Sequence, residues 1–317
     1  MEFPGFYGNE QLKANLSAAL DRQRAAHFYL ISGPKGSGKH TLARLLSAAL
    51  LCRDPGRKPC GICGQCRKVL AGVHPDLITV DDEEHKTVSV GIIRQAREDL
   101  FIRPNEGSRK IYFVPRGQDV GLPGQNALLK VLEEPPTYGV FLLLTDNPDR
   151  LLPTVRSRCT ELKLQPLPRR VLTERLQKAH PEASLQAVEG AAARSGGWLG
   201  QALELLEEGG WMQHTLDFAA AYGGQDHLAL LRLLVPMEKL KRDQLIPIFS
   251  QWQELLTASL TCRCGLPPLD DLSRTLAEGR TSSELSRSVE ALSQAVSLLE
   301  GNISTGAVCG SLLWKLR

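Results

Sequence analysis

The sequence predicts an α/β protein, in which a parallel sheet covered by helices on both faces is followed by a region of helices alone. Two observations predict the first part: short apolar runs alternate with helical patterns as far as about residue 165, and a glycine-rich loop joins the first run to a helix. A third observation predicts the second part. Beyond Gln165 no convincing strand follows, and leucine recurs at helical spacing.

The predicted strands are short and apolar. They cover residues 28–31, 77–80, 110–114, 140–144 and 161–164. Helices are predicted at 41–51, about 90–101 and about 124–134, and Pro135-Pro136 stops the last of them. A chain of 317 residues is too long for one typical core. We therefore expect three domains: residues 1–166, a small helical domain at 167–208 and a second helical bundle at 209–317, with the break at Gly209-Gly210.

The bulk composition excludes several classes of protein. Apolar residues make up 42% of the chain and charged residues 23%, as in an ordinary globular protein, and a net charge of +3 is too weak to argue for nucleic-acid binding by itself. The start of the chain predicts no signal peptide, and no apolar run is long enough to span a membrane. We expect a cytoplasmic protein whose eight cysteines are reduced.

The glycine-rich loop, Gly33-Pro34-Lys35-Gly36-Ser37-Gly38-Lys39, is predicted to bind phosphate. Between a strand and a helix, its backbone N–H groups and the helix N-terminus face the phosphates, and the lysine reaches the outer ones. The alternative is a glycine-rich turn without a ligand, but the flanking strand and helix favour a P-loop. The predicted nucleotide-binding residues, for ATP or ADP, are Gly33, Gly36, Gly38, Lys39 and Thr41.

Both ligands that a P-loop protein uses for Mg²⁺ are absent from their expected positions. His40 follows the lysine where Ser or Thr is expected, and Thr41 points about 100° further around the helix, so it cannot simply replace the hydroxyl. The acid expected after the strand that ends at Val114 is replaced by Pro115 and Arg116. The sequence therefore predicts a nucleotide site that does not hydrolyse ATP.

Four cysteines are predicted to bind a structural zinc ion. Cys52, Cys60, Cys63 and Cys66 have the spacing C-x₇-C-x₂-C-x₂-C, and four clustered thiolates suit a closed tetrahedral site. A reducing compartment disfavours disulfides as the alternative. His74 is an alternative ligand, although a surface loop position is favoured for it. The other cysteines indicate no second site.

Three segments carry a resemblance to a known family. Residues 126–136 (NALLKVLEEPP), 145–148 (TDNP) and 152–159 (LPTVRSRC) resemble the AAA+ subunits of the bacterial sliding-clamp loader of DNA polymerase III, and so do residues 27–34 and the four-cysteine insertion. The resemblance implies a RecA-like AAA+ module at 1–166, a helical lid at 167–208 and a helical collar for oligomerisation at 209–317.

Within this family the chain is similar to the delta-prime type of subunit, which lacks the acidic pair of the tau/gamma motors. Gly200 stands where the second sensor arginine of a motor would fall. The resemblance implies that Arg158 is an arginine finger for the ATP of an adjacent motor, and that Thr145 is at the first sensor position. The alternatives are a surface arginine paired with an acid, and a threonine that only caps a strand. Glu133 and Glu134 are interpreted as a helix-end charge pair.

The expected function is that of a non-hydrolysing subunit that helps to load the sliding clamp onto primed DNA during replication, as a component of the DNA polymerase III holoenzyme. The resemblance implies motor (tau/gamma) and delta subunits as ring partners, the clamp and primer–template DNA as indirect partners, and no membrane. One alternative is an active tau/gamma-type ATPase. Another is a nucleic-acid-binding zinc protein that uses Arg57, Lys58, Arg67 and Lys68, although those charges can equally be a solvated rim.

Overall fold

The structure is a computed structural model that describes residues 1–82, 84–207, 211, 213–301 and 303–316. It contains two compact units, Met1–Leu172 with Gly197–Gln201, and Thr173–Gly196 with Ala202–Arg317. The predicted break at Gly209-Gly210 lies outside the described residues, and the division into three domains stays a prediction. Among the helices that the structure describes, none combines the length and the apolar character needed to cross a membrane.

The first unit is built on a parallel sheet, in which five strands of the described chain are arranged in the order β2-β3-β4-β1-β5. The strands are β1 (Phe28–Ser32), β2 (Leu77–Thr79), β3 (Lys110–Val114), β4 (Gly139–Thr145) and β5 (Thr160–Lys163). Every pairing between neighbouring strands is parallel. The predicted strands are confirmed, each end to within one residue, because long apolar runs mark strands that are buried on both faces.

The helices of the first unit lie between these strands. They are α1 (Glu10–Asp21), α2 (Lys39–Leu51), α3 (Gly64–Leu70), α4 (Val90–Asp99), α5 (Leu122–Glu133) and α6 (Pro153–Arg156). The three predicted helices correspond to α2, α4 and α5, and α5 ends before Pro135-Pro136 as predicted. The α/β class with a parallel sheet is confirmed.

The sheet separates two apolar cores, and successive residues of β1 enter opposite ones. Tyr29 lies in the core shared with α2, whereas Phe28 lies in the core shared with α4 and α5. Phe141 of β4 stacks on both Phe28 and Tyr112, with ring centroids 4.8 Å apart in each pair. These cross-strand stacks hold β3, β4 and β1 in register, and so fix the relative positions of the loops at the carboxyl ends of these strands.

The second unit is helical in the part of the chain that the structure describes. Its helices are α7 (Arg169–Ala179), α8 (Leu185–Arg194), α9 (Leu199–Glu207), α10 (Gln213–Gly223), α11 (His227–Met237), α12 (Arg242–Arg263), α13 (Asp271–Gly279), α14 (Ser282–Glu300) and α15 (Thr305–Lys315), of which α7 and α9 begin in the first unit. The core from α10 onward surrounds the buried Trp252, whose ring stacks on Phe218 with centroids 4.2 Å apart.

Candidate functional sites

The glycine-rich loop has the backbone of a P-loop. It leaves the carboxyl end of β1, and α2 begins at Lys39 with Gly38 as its N-cap. Gly36 and Gly38 have φ angles of 75° and 91°, a region that favours glycine over residues with a side chain. The arrangement of strand, loop and helix places backbone N–H groups and a helix N-terminus where phosphate groups bind in such folds.

The P-loop lysine is fully engaged with other groups of the chain. The Lys39 side chain is 5% exposed, and its Nζ donates hydrogen bonds to the backbone oxygens of Gly33 (2.6 Å) and Pro34 (2.9 Å). Its third partner is the carboxylate of Asp146, at 2.5 Å. An ammonium group has three donors, and all three are occupied. Asp146 was missing from the sequence-based site. The available signal was its position after an apolar strand, in the TDNP segment.

The interior of the loop fits a phosphate ligand in one further respect. The Ser37 hydroxyl is buried and has no hydrogen-bond partner among the described residues. Burying a hydroxyl without a partner costs about 1–3 kcal/mol, and a phosphate oxygen would supply one. Gly33, Gly36, Gly38, Ser37 and Lys39 are therefore the residues that would hold a nucleotide. Thr41, the remaining predicted ligand, is exposed on α2.

Pro115 and Arg116 follow β3 where the sequence analysis expects the acidic pair of a motor, and Arg116 is fixed there by ion pairing. Its Nε and Nη2 lie 2.9 and 2.7 Å from Oδ1 of Asp81, which follows β2, and Nη2 also donates to the backbone oxygen of Asp82. The guanidinium thereby neutralises Asp81. Another acid of this region, Asp119, pairs with Arg150 at 3.8 Å.

His40 packs against an aromatic ring of β3. Its ring lies edge-on to Phe113, with centroids 5.7 Å apart. Burial lowers the pKa of His40, and the neighbouring Lys39 lowers it further. The ring is thus partly covered by its neighbours, while the residue as a whole is exposed on α2.

The segment Gly197–Gln201 lies against the P-loop. The backbone N–H of Gly200 donates to the Gly36 oxygen at 2.9 Å. A Cβ atom at Gly200 would stand 2.6 Å from the Gly36 Cα atom, closer than any real contact. The two main chains can touch because both residues are glycine, and no side chain fits at position 200, where the resemblance predicts the second sensor of a motor.

Arg158 lies just beyond α6 and is paired within the chain. Its Nη2 is 3.0 Å from Oε1 of Glu133 at the end of α5, and its Nη1 donates to the Thr154 oxygen at 3.1 Å. The side chain is 39% exposed and that of Glu133 is 55% exposed. The alternative given for Arg158, a surface arginine paired with an acid, is thus the arrangement found in the single chain. Glu133, interpreted from sequence as half of a charge pair with Glu134, is the partner of Arg158.

Thr145, the predicted sensor residue, ends β4 and is buried. Its Oγ1 accepts a hydrogen bond from the backbone N–H of Asn147 at 3.1 Å. This is the contact of a strand-end cap, and a sensor role for Thr145 stays a prediction.

The four predicted zinc ligands come together. The Sγ atoms of Cys52, Cys60, Cys63 and Cys66 all lie within 4.8 Å of one another, and those of Cys60 and Cys66 are 3.9 Å apart. A tetrahedral Zn²⁺ with Zn–S bonds of about 2.3 Å requires sulfur separations of roughly 3.8 Å. The cluster therefore fits a metal ion of this size with small adjustments of the side chains.

Backbone hydrogen bonds support the metal-binding form of the cysteine cluster. The N–H of Cys63 donates to the Cys60 sulfur at 3.3 Å, and that of Cys66 to the Cys63 sulfur at 3.4 Å. Burial alone would raise the pKa of Cys63, but N–H groups, first that of Cys66, outweigh it and lower the pKa to about 6. Burial raises the pKa of Cys66. The backbone thus favours a thiolate at Cys63, the form that binds metal.

His74 is buried, and its predicted position in a surface loop is wrong. Its side chain is 3% exposed; Nε2 bonds the Gln65 side chain and Nδ1 accepts the backbone N–H of Asp76 at 3.0 Å. The ring fails to reach the cysteine cluster, so it also is no substitute ligand. A histidine between glycine and proline is typical of an exposed loop. Here the two ring nitrogens instead join α3, through Gln65, to the chain before β2, through the backbone of Asp76.

Asp76 organises the loop that precedes β3. Its fully buried carboxylate accepts hydrogen bonds from the backbone N–H groups of Asn105 (2.6 Å), Glu106 (2.9 Å) and Gly107 (2.7 Å). Burial alone would raise the pKa of Asp76, but these donors hold it below its usual value. Three N–H groups on one carboxylate make the loop depend on the negative charge.

We expect Asp76→Asn to lower the free energy of unfolding by about 2–4 kcal/mol, because it removes the charge from three buried hydrogen bonds. Since the folded pKa is depressed, the stabilisation is present above the unfolded pKa of about 4 and is lost as the pH falls below it. Urea titrations at pH 7 and pH 3 measure both effects: the difference between variant and wild type should shrink at pH 3. The exposed Asp149→Asn is the control, and an equal loss in both variants would contradict the assignment.

The basic residues around the cysteine cluster are partly neutralised. Arg57 pairs with Glu2 at 2.6 Å, and Lys68 pairs with Glu106 at 2.5 Å. Two of the four cations proposed as a nucleic-acid patch therefore have acidic partners, which is typical of a solvated rim and gives no support to the nucleic-acid-binding alternative.

The fold and these sites together define a class of protein. A parallel sheet with a P-loop after β1, joined to a helical second unit, defines an α/β P-loop protein. The family described as DNA polymerase III, delta subunit, matches residues 8–168. The chain belongs to this family, and the predicted resemblance is confirmed.

Individual relatives carry two kinds of name. The chain is 38% identical over 179 residues to the DNA polymerase III subunit delta' of Pseudomonas aeruginosa (56% of this chain, 54% of that protein) and 37% identical over 210 residues to that of Escherichia coli (65% and 63%). It is 35% identical over 171 residues to the subunit gamma/tau of Mycobacterium tuberculosis (54% and 30%). The chain thus spans less than two thirds of the length of each of these relatives.

Proposed function

We propose that the chain is a non-hydrolysing, delta-prime-type subunit of a DNA polymerase III clamp loader. In this proposal it occupies a hetero-oligomeric ring with tau/gamma motor subunits and a delta subunit. The ring loads the sliding clamp onto primed DNA during replication. The chain lends Arg158 to the ATP of an adjacent motor and hydrolyses none itself. Relatives of 37% and 38% identity that are named delta' support this choice.

One observation carries the proposal: Pro115 and Arg116 stand where the metal-binding acid is expected, and Arg116 neutralises the nearby Asp81. A hydrolysing P-loop holds Mg²⁺ between a hydroxyl after its lysine and an acid at the end of a neighbouring strand. Here the first position is His40, and the second is Pro115, followed by Arg116, whose guanidinium lies 2.7 Å from the Asp81 carboxylate. A proline side chain has no ligand atom and a guanidinium has only donors, so neither can bind Mg²⁺. The same feature argues against the active tau/gamma-type motor, although gamma/tau subunits are also among the relatives.

The contacts of Arg158 are compatible with action in trans. An ion pair between two exposed side chains contributes only about 0–1 kcal/mol. The guanidinium can therefore leave Glu133 for a more highly charged phosphate group on a neighbouring subunit. An arginine donates two parallel hydrogen bonds to phosphate, and it would stabilise the charge that develops on the transferring group.

The proposal includes two bound groups. We propose that the cysteine cluster holds a structural Zn²⁺, which leaves no coordination position open for catalysis. We also propose that the P-loop takes ATP or ADP through Gly33, Gly36, Gly38 and Lys39, without hydrolysis. The nucleotide would then serve as a structural ligand of this subunit.

We expect the purified chain to show no ATP turnover above background, and the complex with tau/gamma and delta to turn over ATP faster with this chain than without it. Phosphate release in the presence of primed DNA measures both. Lys39→Ala in this chain is the control, because it should leave the rate of the complex unchanged if hydrolysis occurs elsewhere. Turnover by the chain alone that disappears in Lys39→Ala would contradict the proposal and favour the motor alternative.

A further inference from the structure

We propose that Asp146 occupies the phosphate-binding position of the P-loop and thereby weakens nucleotide binding by this chain. The Asp146 carboxylate lies 2.5 Å from the Lys39 ammonium. A carboxylate carries the same sign of charge as a phosphate oxygen and accepts the same hydrogen bonds. Asp146 thus gives the lysine the partner that a nucleotide would give it.

The fold explains why this contact forms. β4 lies beside β1, and the register pairs Ser32 with Thr145 at the carboxyl ends of the two strands. The residues that follow are the P-loop on one strand and Asp146 on the other, so the sheet places the carboxylate directly beside the loop. Asp146 is 49% exposed, whereas Lys39 is 5% exposed. The carboxylate is therefore the solvent-facing member of the pair, and the ammonium is the buried one.

The surroundings leave Lys39 as the strongest partner for Asp146. Arg116 also lies at the carboxyl end of a strand, but its guanidinium is paired with Asp81 and donates to the backbone oxygen of Asp82. A Mg²⁺ ion could bridge a carboxylate and a nearby phosphate, but His40 replaces the hydroxyl that would hold this ion, and Pro115 and Arg116 replace the acid. A phosphate entering the loop must therefore displace Asp146 from Lys39.

The expected effect follows from competition. If the pair is open in about one molecule in ten, the apparent affinity for nucleotide is about tenfold weaker than that of an open loop. Removing the Asp146 carboxylate should therefore restore the apparent affinity for nucleotide to that of an open loop. The inference rests on the proposed function only for the ligand, a nucleoside di- or triphosphate, and is independent of any role of Arg158.

Isothermal titration of the full chain with ADP in EDTA tests the proposal. We expect Asp146→Asn and Asp146→Ala to bind ADP about tenfold more tightly than the wild type. Asp149→Asn is the matched control: this acid lies three residues further on, is 83% exposed and pairs with Arg156. It should bind like the wild type. Lys39→Ala combined with Asp146→Ala should lose the gain, and circular dichroism should show the same fold for all variants.

Several outcomes would overturn the proposal. Unchanged or weaker ADP binding by both Asp146 variants would mean that the carboxylate does not compete with phosphate. If no variant bound ADP at millimolar concentration, removal of the carboxylate would not restore binding, and the proposal would also fail. The proposed function would still stand, because the ATPase test of the complex does not depend on nucleotide binding by this chain. If Mg²⁺ tightened binding by the wild type alone, Asp146 would be a metal ligand instead of a competitor.

Discussion

Arg158→Ala should slow ATP hydrolysis at the motor site that this subunit serves by about 10³-fold or more, because arginine fingers in other phosphoryl-transfer systems contribute roughly 10³–10⁵ to the rate. The side chain lies on the surface and its loss removes one exposed ion pair, so assembly with tau/gamma and delta should be intact. Single-turnover hydrolysis by the assembled complex on primed DNA measures the effect, and size-exclusion chromatography checks assembly.

A neighbouring arginine supplies the control for this experiment. Arg156 is 35% exposed and pairs with Asp149 at 2.8 Å, so Arg156→Ala removes a comparable charge from a position two residues before Arg158. It should leave the hydrolysis rate within about twofold of the wild type, because exposed pairs contribute little. Equal rates for Arg158→Ala and the wild type would remove the finger role. Equal losses in both variants would indicate a general effect of surface charge.

Removing the metal should unfold the region around the cysteine cluster. Zinc binding to small sites contributes about 10–16 kcal/mol, as much as the whole stability of a typical domain, about 5–15 kcal/mol. Three of the four cysteines also belong to the apolar core shared with α2. We expect Cys66→Ser, or chelation of the wild type, to abolish zinc binding and to remove hydrogen-exchange protection from residues 52–76.

The remaining cysteines provide the comparison. Cys264 is exposed and lies in the second unit, so Cys264→Ser should retain one zinc per chain by elemental analysis and full protection of residues 52–76. A wild-type chain that contains no zinc, yet shows the same exchange protection before and after chelation, would refute the zinc assignment.

The sequence predicted the strands well and the charge pairs poorly, and the reason is physical. Each strand is a local apolar run, so its existence and its ends depend on neighbouring residues alone. The contacts of Lys39 with Asp146 and of Arg116 with Asp81 depend on the order of the strands in the sheet, which places residues 107 and 35 positions apart side by side. Single-sequence patterns carry no such information.

The cysteine cluster and the buried histidine differ for the same reason. The cluster of Cys52, Cys60, Cys63 and Cys66 could be predicted because all four thiols fall within one short stretch, and thiols at that spacing have few other uses. His74 was misjudged because its partner Gln65 gave no signal of its own, and burial of an imidazole depends on which groups fold over it. Asp146 was missed because an acid after a strand is commonly a solvated turn residue.

The contact between Gly36 and Gly200 also limits how this protein can change over evolutionary time. An arginine at position 200 would require a Cβ atom where the Gly36 backbone now lies, 2.6 Å away. Any side chain at position 200 therefore requires the loop to take a different path, so a single codon change at this position is strained. If the proposed function holds, a gain of ATP hydrolysis would need substitutions at His40, Pro115 and Arg116 together with a rebuilt loop.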